Sequence, residues 1–187
     1  MNLSLFGSST TELSPSNSPT LPRIILLGCV SGKNRPPPHT VFKKDGSSFE
    51  IPGRLPAREL YNSPLWSKRR RYAESSGYPW GILSARYGVV SPNQKLPYYE
   101  YTLTDDSKNR DAVPYALSSR ISYGLSNLVQ IVDGRLVPTI LEIHAGAPYV
   151  RRVEIALRWA EREERLLIET PVAKLQIGEL LSWYNTH

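Results

Sequence analysis

Short apolar segments alternate with helical patterns along most of this chain. The segments at residues 24–29, 80–83, 139–144 and 166–169 are too short for helices and are bounded by Pro, Gly or polar residues, so each predicts a buried strand. Between them, apolar side chains such as Leu117, Ile121 and Leu125 recur at helical spacing. This alternation predicts a three-layer α/β domain, with a mostly parallel sheet of about four strands covered by helices on both faces.

The clearest helix signal is Ser63 followed by Pro64, an N-cap residue and a proline at the first helical position. It predicts a helix that runs to about Ser76 and stops at Gly77. Leu65, Tyr72 and Ala73 are expected on its buried face. A short helical turn is predicted at residues 57–61, and longer helices at residues 112–132, 148–163 and 177–184.

The chain is expected to form one domain, residues 23–187, behind a disordered tail. Residues 1–22 are rich in Ser, Thr and Pro and carry no core pattern, so no fold is predicted for them. Residues 36–52 are predicted to be an extended surface insert, and residues 105–111 a charged loop. Functional residues are therefore sought only in the domain.

Composition narrows the function classes. Lys and Arg number 23 against 17 Asp and Glu, a net charge of +6, which favours a polyanionic partner such as nucleic acid. Cys29 is the only cysteine, and the 3 histidines form no close pair, so neither an internal disulfide nor a metal site is expected. No cofactor is expected. The chain has no apolar run of the ~18 residues that a membrane helix needs and no secretion signal, which predicts a cytoplasmic protein without membrane contact.

A phosphate-binding loop can be rejected after the first strand. The segment from Gly28 to Lys33 has three residues between its glycines, where that motif needs four. Asn34 follows Lys33, where the motif requires Ser or Thr. A nucleotide phosphate site of this type is therefore not predicted.

Three predicted strands end in unusual residues, at positions 29–33, 84–88 and 144–149. In open parallel sheets ligands bind beyond the carboxyl ends of the strands, so these segments are expected to meet at one site. The stretch at residues 80–103 adds tyrosines around a single carboxylate, Glu100. It predicts a pocket wall; the alternative is a strand, a tight turn and an exposed tyrosine-rich loop.

Six short segments carry a resemblance to a known family. They are Cys29 with Lys33, residues 57–61 with Ser63, residues 83–88, residues 99–103, Ala145-Gly146 with Tyr149, and residues 177–179. In this order they resemble a bacterial domain-of-unknown-function family allied to the peroxide-stress protein family and to the glycosylase-like domain of archaeosine synthase. The resemblance implies a fold similar to uracil-DNA glycosylases, and relatives that handle nucleobases or excise modified bases from DNA, phage DNA included.

The sequence also departs from that family. The family more often has consecutive lysines after the cysteine, where this chain has Val30-Ser31-Gly32-Lys33. The insert at residues 36–52 could reshape the pocket. Neither of the usual uracil-DNA glycosylase motifs, with their catalytic Asp and His, is recognisable in this sequence. The fold is therefore better specified than the chemistry.

Cleavage of an N-glycosidic bond sets the residue types to seek. A carboxylate can stabilise the oxocarbenium-like sugar, a donor can stabilise the departing base, and aromatic rings can hold a flipped nucleotide. The predicted catalytic residues are Glu100, His144 and Ser84. The predicted base- or nucleotide-binding residues are Cys29, Ser31, Lys33, Arg58, Arg86, Tyr87, Gly88, Tyr98, Tyr99, Gly146 and Tyr149. The predicted DNA phosphate contacts are Lys68, Arg69, Arg70 and Arg71.

Alternatives stay open for most of these roles. Glu100 could be a surface carboxylate, with Glu59 the next candidate acid, and His144 could protonate the base or fix a loop. Cys29 is weighed as a nucleophile but is more readily explained as a small buried residue. The four basic residues could form a solvated face. The leading function is a DNA N-glycosylase acting on modified, double-stranded DNA; the others are a non-enzymatic nucleic-acid-binding stress protein and a hydrolase of free nucleosides or nucleotides.

Overall fold

The computed structural model describes residues 21–101, 103, 115–129, 131–132, 135–159 and 165–187. Residues 1–20 of the predicted tail (1–22) and the charged loop at residues 105–111 lie outside them. The strands are β1 (Arg23–Gly28), β2 (His39–Phe42), β3 (Ser48–Ile51), β4 (Arg54–Pro56), β5 (Trp80–Ser84), β6 (Gly88–Val90), β7 (Lys95–Pro97), β8 (Ile131–Val132), β9 (Arg135–Leu136), β10 (Thr139–His144) and β11 (Leu166–Glu169). The helices are α1 (Ala57–Leu60), α2 (Pro64–Ser75), α3 (Tyr115–Ser126), α4 (Ala147–Trp159) and α5 (Ile177–Thr186).

A five-stranded, mostly parallel sheet forms the centre of the fold. Its order is β11-β10-β1-β5-β6, with parallel pairing throughout except between β5 and β6. The α/β prediction and its four strands are confirmed. The antiparallel edge strand β6 was not predicted: the chain reverses at Gly88, whose φ of 74° suits glycine. A Cβ there would lie 2.6 Å from the backbone of Arg120 on α3.

The core lies on both faces of this sheet because successive strand residues point to opposite sides. Leu26 of β1 packs with Ile121 of α3 and Val153 of α4 on one face. Its neighbour Leu27 packs with Leu60 and residues of α2 on the other. The predicted three-layer arrangement of helices about the sheet is thus observed. It leaves the carboxyl ends of β1, β5 and β10 at one edge.

Helix α2 begins as predicted, with the Ser63 hydroxyl accepting a hydrogen bond from the Trp66 backbone N–H at 3.0 Å. Its fully buried positions are Trp66, Arg69 and Ala73, whereas Leu65 and Tyr72 are only half-buried. Helix α3 ends at Ser126, short of the predicted end at residue 132, and residues 131–132 form strand β8 instead. Residues 112–114 and 130 of the predicted range lie outside the described part. Within the described residues, every helix is too short or too polar to span a membrane.

The insert at residues 36–52 folds as a β-hairpin rather than an irregular extended segment. Strands β2 and β3 pair antiparallel, with Val41 opposite Phe49 and Phe42 opposite Ser48. The turn between them contains Gly46 at a φ of 82°. Asp45-Gly46 between β-prone residues is a hairpin signal.

Candidate functional site

The carboxyl ends of β1 and β5 carry a group of side chains here called the phenol cluster: Cys29, Lys33, Tyr61, Ser84, Tyr99 and Tyr149. The Tyr99 hydroxyl lies 2.7 Å from that of Tyr61 and 2.8 Å from that of Ser84. The Tyr149 hydroxyl lies 3.2 Å from the Cys29 sulfur. Tyr61, Ser84 and Tyr99 are buried, and Cys29, Lys33 and Tyr149 are half-buried. The cluster therefore has a closed floor and a partly open rim.

Backbone pairing brings these residues together from distant parts of the chain. The Cys29 N–H donates to the Leu83 carbonyl at 3.0 Å, which extends the β1–β5 pairing beyond Gly28. Lys33 forms an isolated antiparallel bridge with Tyr61. Ser84 ends β5, and its hydroxyl accepts hydrogen bonds from the next turn. Tyr149 lies in the first turn of α4, directly after β10. The predicted meeting of three strand ends is observed for these residues.

Burial dominates the electrostatics of the phenol cluster. It raises the pKa of Tyr61, Tyr99 and Tyr149, and the nearby Cys29 thiol raises each pKa further. These phenols therefore remain protonated at neutral pH and can act as hydrogen-bond donors. Burial also lowers the pKa of Lys33, against the opposing influence of Cys29 and Glu100.

Aromatic and cationic side chains surround the floor. The Lys33 amine lies 4.5 Å from the centre of the Tyr99 ring. The Tyr87 ring meets Tyr99 edge-on, with centroids 5.2 Å apart. The exposed Arg86 guanidinium lies 5.6 Å from the Tyr87 ring. Such contacts of cations and ring edges with a ring face are favourable, so they hold the rim in a defined arrangement.

Four predicted binding residues contribute mainly through the backbone or lie at the margin. Ser31 is exposed, and its carbonyl accepts a hydrogen bond from the Lys33 amine at 3.3 Å. Gly88 forms the turn into β6. The Gly146 carbonyl accepts from the Tyr149 N–H at 2.9 Å, at the start of α4. Tyr98 lies on the surface beside Glu100.

Glu100 is exposed rather than enclosed. Its side chain is 72% exposed and accepts hydrogen bonds from Arg35 at 2.7 Å and from the Tyr98 hydroxyl at 2.5 Å. The bond from Tyr98, followed by the bond and charge of Arg35, lowers the pKa of this carboxyl. Lys33 also acts on it electrostatically. Glu100 thus borders the phenol cluster as a paired surface carboxylate, which matches the alternative stated for it, and its catalytic role stays a prediction.

His144 belongs to a second group, the carboxylate–histidine cluster: Arg23, Tyr72, Glu142, His144 and Tyr184. His144 is fully buried, and its Nε2 donates to Glu142 Oε1 at 2.5 Å. The Tyr72 hydroxyl donates to the same oxygen at 2.6 Å, and Arg23 pairs with the other. Tyr184 of α5 lies 2.6 Å from His144 Nδ1. Both nitrogens of His144 are thus engaged inside the protein, as expected of a residue that fixes local structure.

Glu142 is the charged centre of this second cluster. Burial opposes its ionisation, but hydrogen bonds from His144 and Tyr72 outweigh burial and hold the pKa of this carboxyl at about 2. Burial raises the pKa of Tyr184 to about 12. The cluster is therefore an ionised carboxylate with its hydrogen-bonding capacity used by protein groups.

The predicted basic surface on α2 must be corrected at Arg69. This residue is only 6% exposed, and its guanidinium donates to the Gly28 carbonyl at 3.0 Å and interacts with Tyr184. It lies between the two clusters and does not face solvent. Lys68 pairs with Asn185, Arg70 bonds Glu74 at 2.8 Å, and Arg71 is exposed. The buried stripe of α2 explains the difference, since position 69 is one turn after Trp66.

A surface groove of about 680 Å³ lies between α1 and α2, beside the phenol cluster. Its cationic wall is formed by Arg58, Arg70 and Arg71, and Tyr61 lines it as well. The Arg58 Nε is buried, lies 3.7 Å from Glu59 Oε1 and has no hydrogen-bond partner among the described residues. Glu59 and Glu74 line the same groove, so its three cations face two carboxylates. Within the described residues, His, Cys, Asp and Glu form no group of three suited to a metal ion.

Several residues of these clusters were not singled out from the sequence. A backbone β-bridge with Lys33 brings Tyr61 into the phenol cluster. No local sequence pattern predicts this long-range pairing. Glu142 could have been found, because it lies two residues before His144 on one strand and therefore on the same face. The other members of its cluster could not be predicted from the sequence, because Arg23, Tyr72 and Tyr184 come from three other elements.

The fold and the site together define an α/β protein with a mostly parallel sheet whose strand ends carry buried phenols. Over residues 46–186 the sequence matches a family of unknown function (DUF6884), and the chain belongs to this family. No curated protein and no solved structure matches the chain. The matched range contains Ser84, Tyr99 and Tyr149 but not β1, Cys29 or Lys33. The expected relation to uracil-DNA glycosylases and archaeosine synthase stays a prediction.

Proposed function

We propose that this protein is a DNA N-glycosylase, which flips a modified nucleotide out of the duplex and releases its base to leave an abasic site. The observation that carries the proposal is the phenol cluster. It combines neutral hydroxyl donors, aromatic rings and a lysine at the edge of the sheet where ligands bind in parallel folds. Defence against phage with modified DNA is the setting that the sequence resemblance suggests.

The floor of the cluster suits the departing base. As the glycosidic bond breaks, negative charge develops on the base, and fixed donors in a desolvated site stabilise it. Tyr61 and Tyr99 are buried phenols with raised pKa values, so they keep their protons and can donate them in hydrogen bonds. Lys33, above the Tyr99 ring, adds a further donor.

The rim and the groove suit the flipped nucleotide and its strand. Extrusion of a nucleotide costs a few kcal/mol. Stacking of a base on an aromatic ring returns about 1–3 kcal/mol, and the half-buried Tyr87 and Tyr149 offer such rings. Arg58, Arg70 and Arg71 in the adjoining groove can contact phosphates, which position DNA without reading its sequence.

Glu100 is the acid assigned to the sugar. It is tied to Arg35 in the free protein. A DNA phosphate that binds Arg35 would compete with this exposed pair, and exposed ion pairs add little to stability. Glu100 released in this way could stabilise the oxocarbenium-like sugar or orient the attacking water.

The test is base release from duplex DNA that carries bulky modified bases, followed by chromatography and by alkaline cleavage at abasic sites. We expect release by the wild type and a loss of about 10²–10⁴-fold in the Glu100→Gln variant, the usual range for a group that acts as acid or base. Glu154→Gln, at a carboxylate on α4 outside the phenol cluster, the groove and the β2–β3 hairpin, is the matched control and should remain active. No release from any modified duplex, or equal rates for the Glu100→Gln variant and the wild type, would contradict the proposal.

A second candidate is a nucleic-acid-binding protein without chemistry. The exposure of Glu100 and its pairing with Arg35 favour this candidate, because a catalytic carboxylate is ordinarily enclosed with its substrate. It predicts salt-sensitive DNA binding with no released base at any protein concentration. A hydrolase of free nucleosides would instead release base from monomers and bind DNA weakly, so the same chromatographic assay separates the three.

A further inference from the structure

The β2–β3 hairpin exposes an unusual amount of apolar surface. Phe42 is 76% exposed, Phe49 45% and Ile51 40%. Large exposed side chains grouped on one small element typically mark an interaction surface. A two-stranded ribbon also gains little stability by itself, so its apolar residues are not explained by a core of its own.

The register of the hairpin separates two aromatic faces. Side chains alternate along a strand, so Phe42, opposite Ser48, projects from one face, and Phe49, opposite Val41, projects from the other. Phe42 is the last residue of β2 and lies next to the turn. It is therefore the most exposed large apolar side chain of the hairpin and stands near its tip.

The tip itself is both ordered and basic. The Lys43 N–H donates to the Ser47 carbonyl at 2.7 Å, and Asp45 accepts hydrogen bonds from the Ser47 N–H at 2.9 Å and from its hydroxyl at 2.6 Å. The Asp45 carboxylate is thus hydrogen-bonded within the turn. Lys43 and Lys44 are exposed beside Phe42, and the Lys43 amine lies 5.6 Å from the Phe49 ring. The tip therefore presents an exposed ring, Phe42, and two adjacent cations, of which Lys43 lies towards the Phe49 face. Rings and cations together complement bases and phosphates.

The base of the hairpin adjoins the rim of the phenol cluster. A shallow cavity of about 400 Å³ lies between Pro38 and Glu50 of the hairpin and Arg35 and Tyr98 beside Glu100. Gly53, just after β3, packs closely on the Pro37 carbonyl, so the two ends of the insert meet there. DNA held at the phenol cluster would therefore pass beside this ribbon.

We propose that the hairpin is a wedge for duplex DNA: Phe42 inserts between stacked bases next to the flipped nucleotide, while Lys43 and Lys44 contact the flanking phosphates. Apolar side chains inserted in this way unstack a base step and lower the cost of extruding a nucleotide. The identity of the ligand rests on the proposed function. The wedge adds a preference for duplex over single-stranded DNA, which the phenol cluster alone does not require.

The test compares the wild type with Phe42→Ser and with Tyr123→Ser, a matched control in which an aromatic residue that is 74% exposed on α3 is removed. The probes are a short duplex with 2-aminopurine beside the modified base and the corresponding single strand, studied by anisotropy and fluorescence. Phe42→Ser should bind the duplex roughly 10-fold more weakly, with less 2-aminopurine unstacking, and the single strand within about twofold of wild type. Tyr123→Ser should match wild type on both.

A second variant tests the lysines. Replacement of Lys43 and Lys44 by Gln should reduce the slope of log K against log salt by about 0.9 for each lost phosphate contact. Unchanged duplex binding by Phe42→Ser, an equal loss on both probes, or a change in its oligomeric state would overturn the wedge and leave the proposed function standing. Failure of the wild type to bind either probe would overturn both.

Discussion

The two polar clusters beside the sheet differ in charge and in access. The carboxylate–histidine cluster is ionic and enclosed: Glu142 is ionised, and its oxygens are taken by Arg23, Tyr72 and His144. The phenol cluster is built from neutral hydroxyls, a thiol and a lysine, with a half-buried rim. Arg69 connects them, since it binds the Gly28 carbonyl directly before Cys29 and interacts with Tyr184.

The difference indicates a division of roles. A buried carboxylate with every oxygen occupied has no capacity left for a ligand, and its removal leaves uncompensated partners. The phenol cluster instead has a half-buried rim, formed by Cys29, Lys33 and Tyr149, that a ligand can contact. We therefore assign fold stability to the first cluster and ligand recognition to the second, and the following predictions are ordered by expected effect.

The largest effect is expected for Glu142→Gln. This change removes the charge of a buried carboxylate that Arg23, Tyr72 and His144 all contact, and should lower the free energy of unfolding by about 3–5 kcal/mol. Urea denaturation at neutral pH measures it. Glu169→Gln removes the other, 49% exposed carboxylate on Arg23 and should cost less than about 1 kcal/mol. Equal losses in the two variants would contradict the special role of the buried carboxylate.

Acid should remove the contribution of Glu142. Its folded-state pKa of about 2 lies below the ordinary value of 4.5, so its stabilisation is fully present above pH 4.5 and is lost as the pH falls towards 2. The shift corresponds to a contribution on the order of 3 kcal/mol. Denaturation curves of the wild type and Glu142→Gln across this window should converge at low pH. Parallel curves would show that another group controls the acid response.

In the phenol cluster, Tyr99→Phe removes one oxygen shared by Tyr61 and Ser84. Two buried hydroxyls then lose a partner, so a loss of about 1–3 kcal/mol in unfolding free energy is expected. DNA binding should weaken in the same variant because the floor of the site loses a donor. Tyr98→Phe deletes the same atom from a surface tyrosine, and its change in stability should stay within about 0.5 kcal/mol.

The smallest effect on stability is expected at Lys33. Its amine lies over Tyr99, a contact that contributes about 0.5–1 kcal/mol at such sites, so Lys33→Met should unfold nearly as the wild type does. Its DNA affinity should fall, with a salt slope lower by about 0.7–0.9 if the amine contacts a phosphate. Lys174→Met, at an exposed lysine after β11, is the control. A large loss of stability in Lys33→Met would instead assign Lys33 to fold stability, the role given to the carboxylate–histidine cluster.

The sequence predicted the parts of this arrangement that depend on local patterns. The parallel strands appeared as short apolar segments, and Ser63-Pro64 marked the start of α2 correctly. The meeting of Cys29, Ser84 and Tyr149 followed from strand order, because parallel strands end at one edge. These signals are local or topological, so they can be recognised without knowledge of side-chain contacts.

What the sequence did not predict depends on long-range partners. Arg69 was placed with its basic neighbours on the surface, since four consecutive cations ordinarily form a solvated face. Its burial is explained by acceptors on β1 and α5 that no local pattern connects to it. Glu100 was placed in a pocket because tyrosines surround it, whereas Arg35, 65 positions earlier, holds it at the surface. Long-range hydrogen-bond partners therefore decided both outcomes.

The assignment of recognition to the phenol cluster can be tested directly by photo-cross-linking. DNA with a photoreactive base analogue at the modified position would be bound, irradiated and digested, and the attached peptides identified by mass spectrometry. The account predicts cross-links at Tyr87, Tyr99 or Tyr149 and none at Trp183 or Tyr184, which belong to the enclosed side of the sheet edge. Cross-links confined to α5, or spread over the surface without enrichment at these tyrosines, would contradict it.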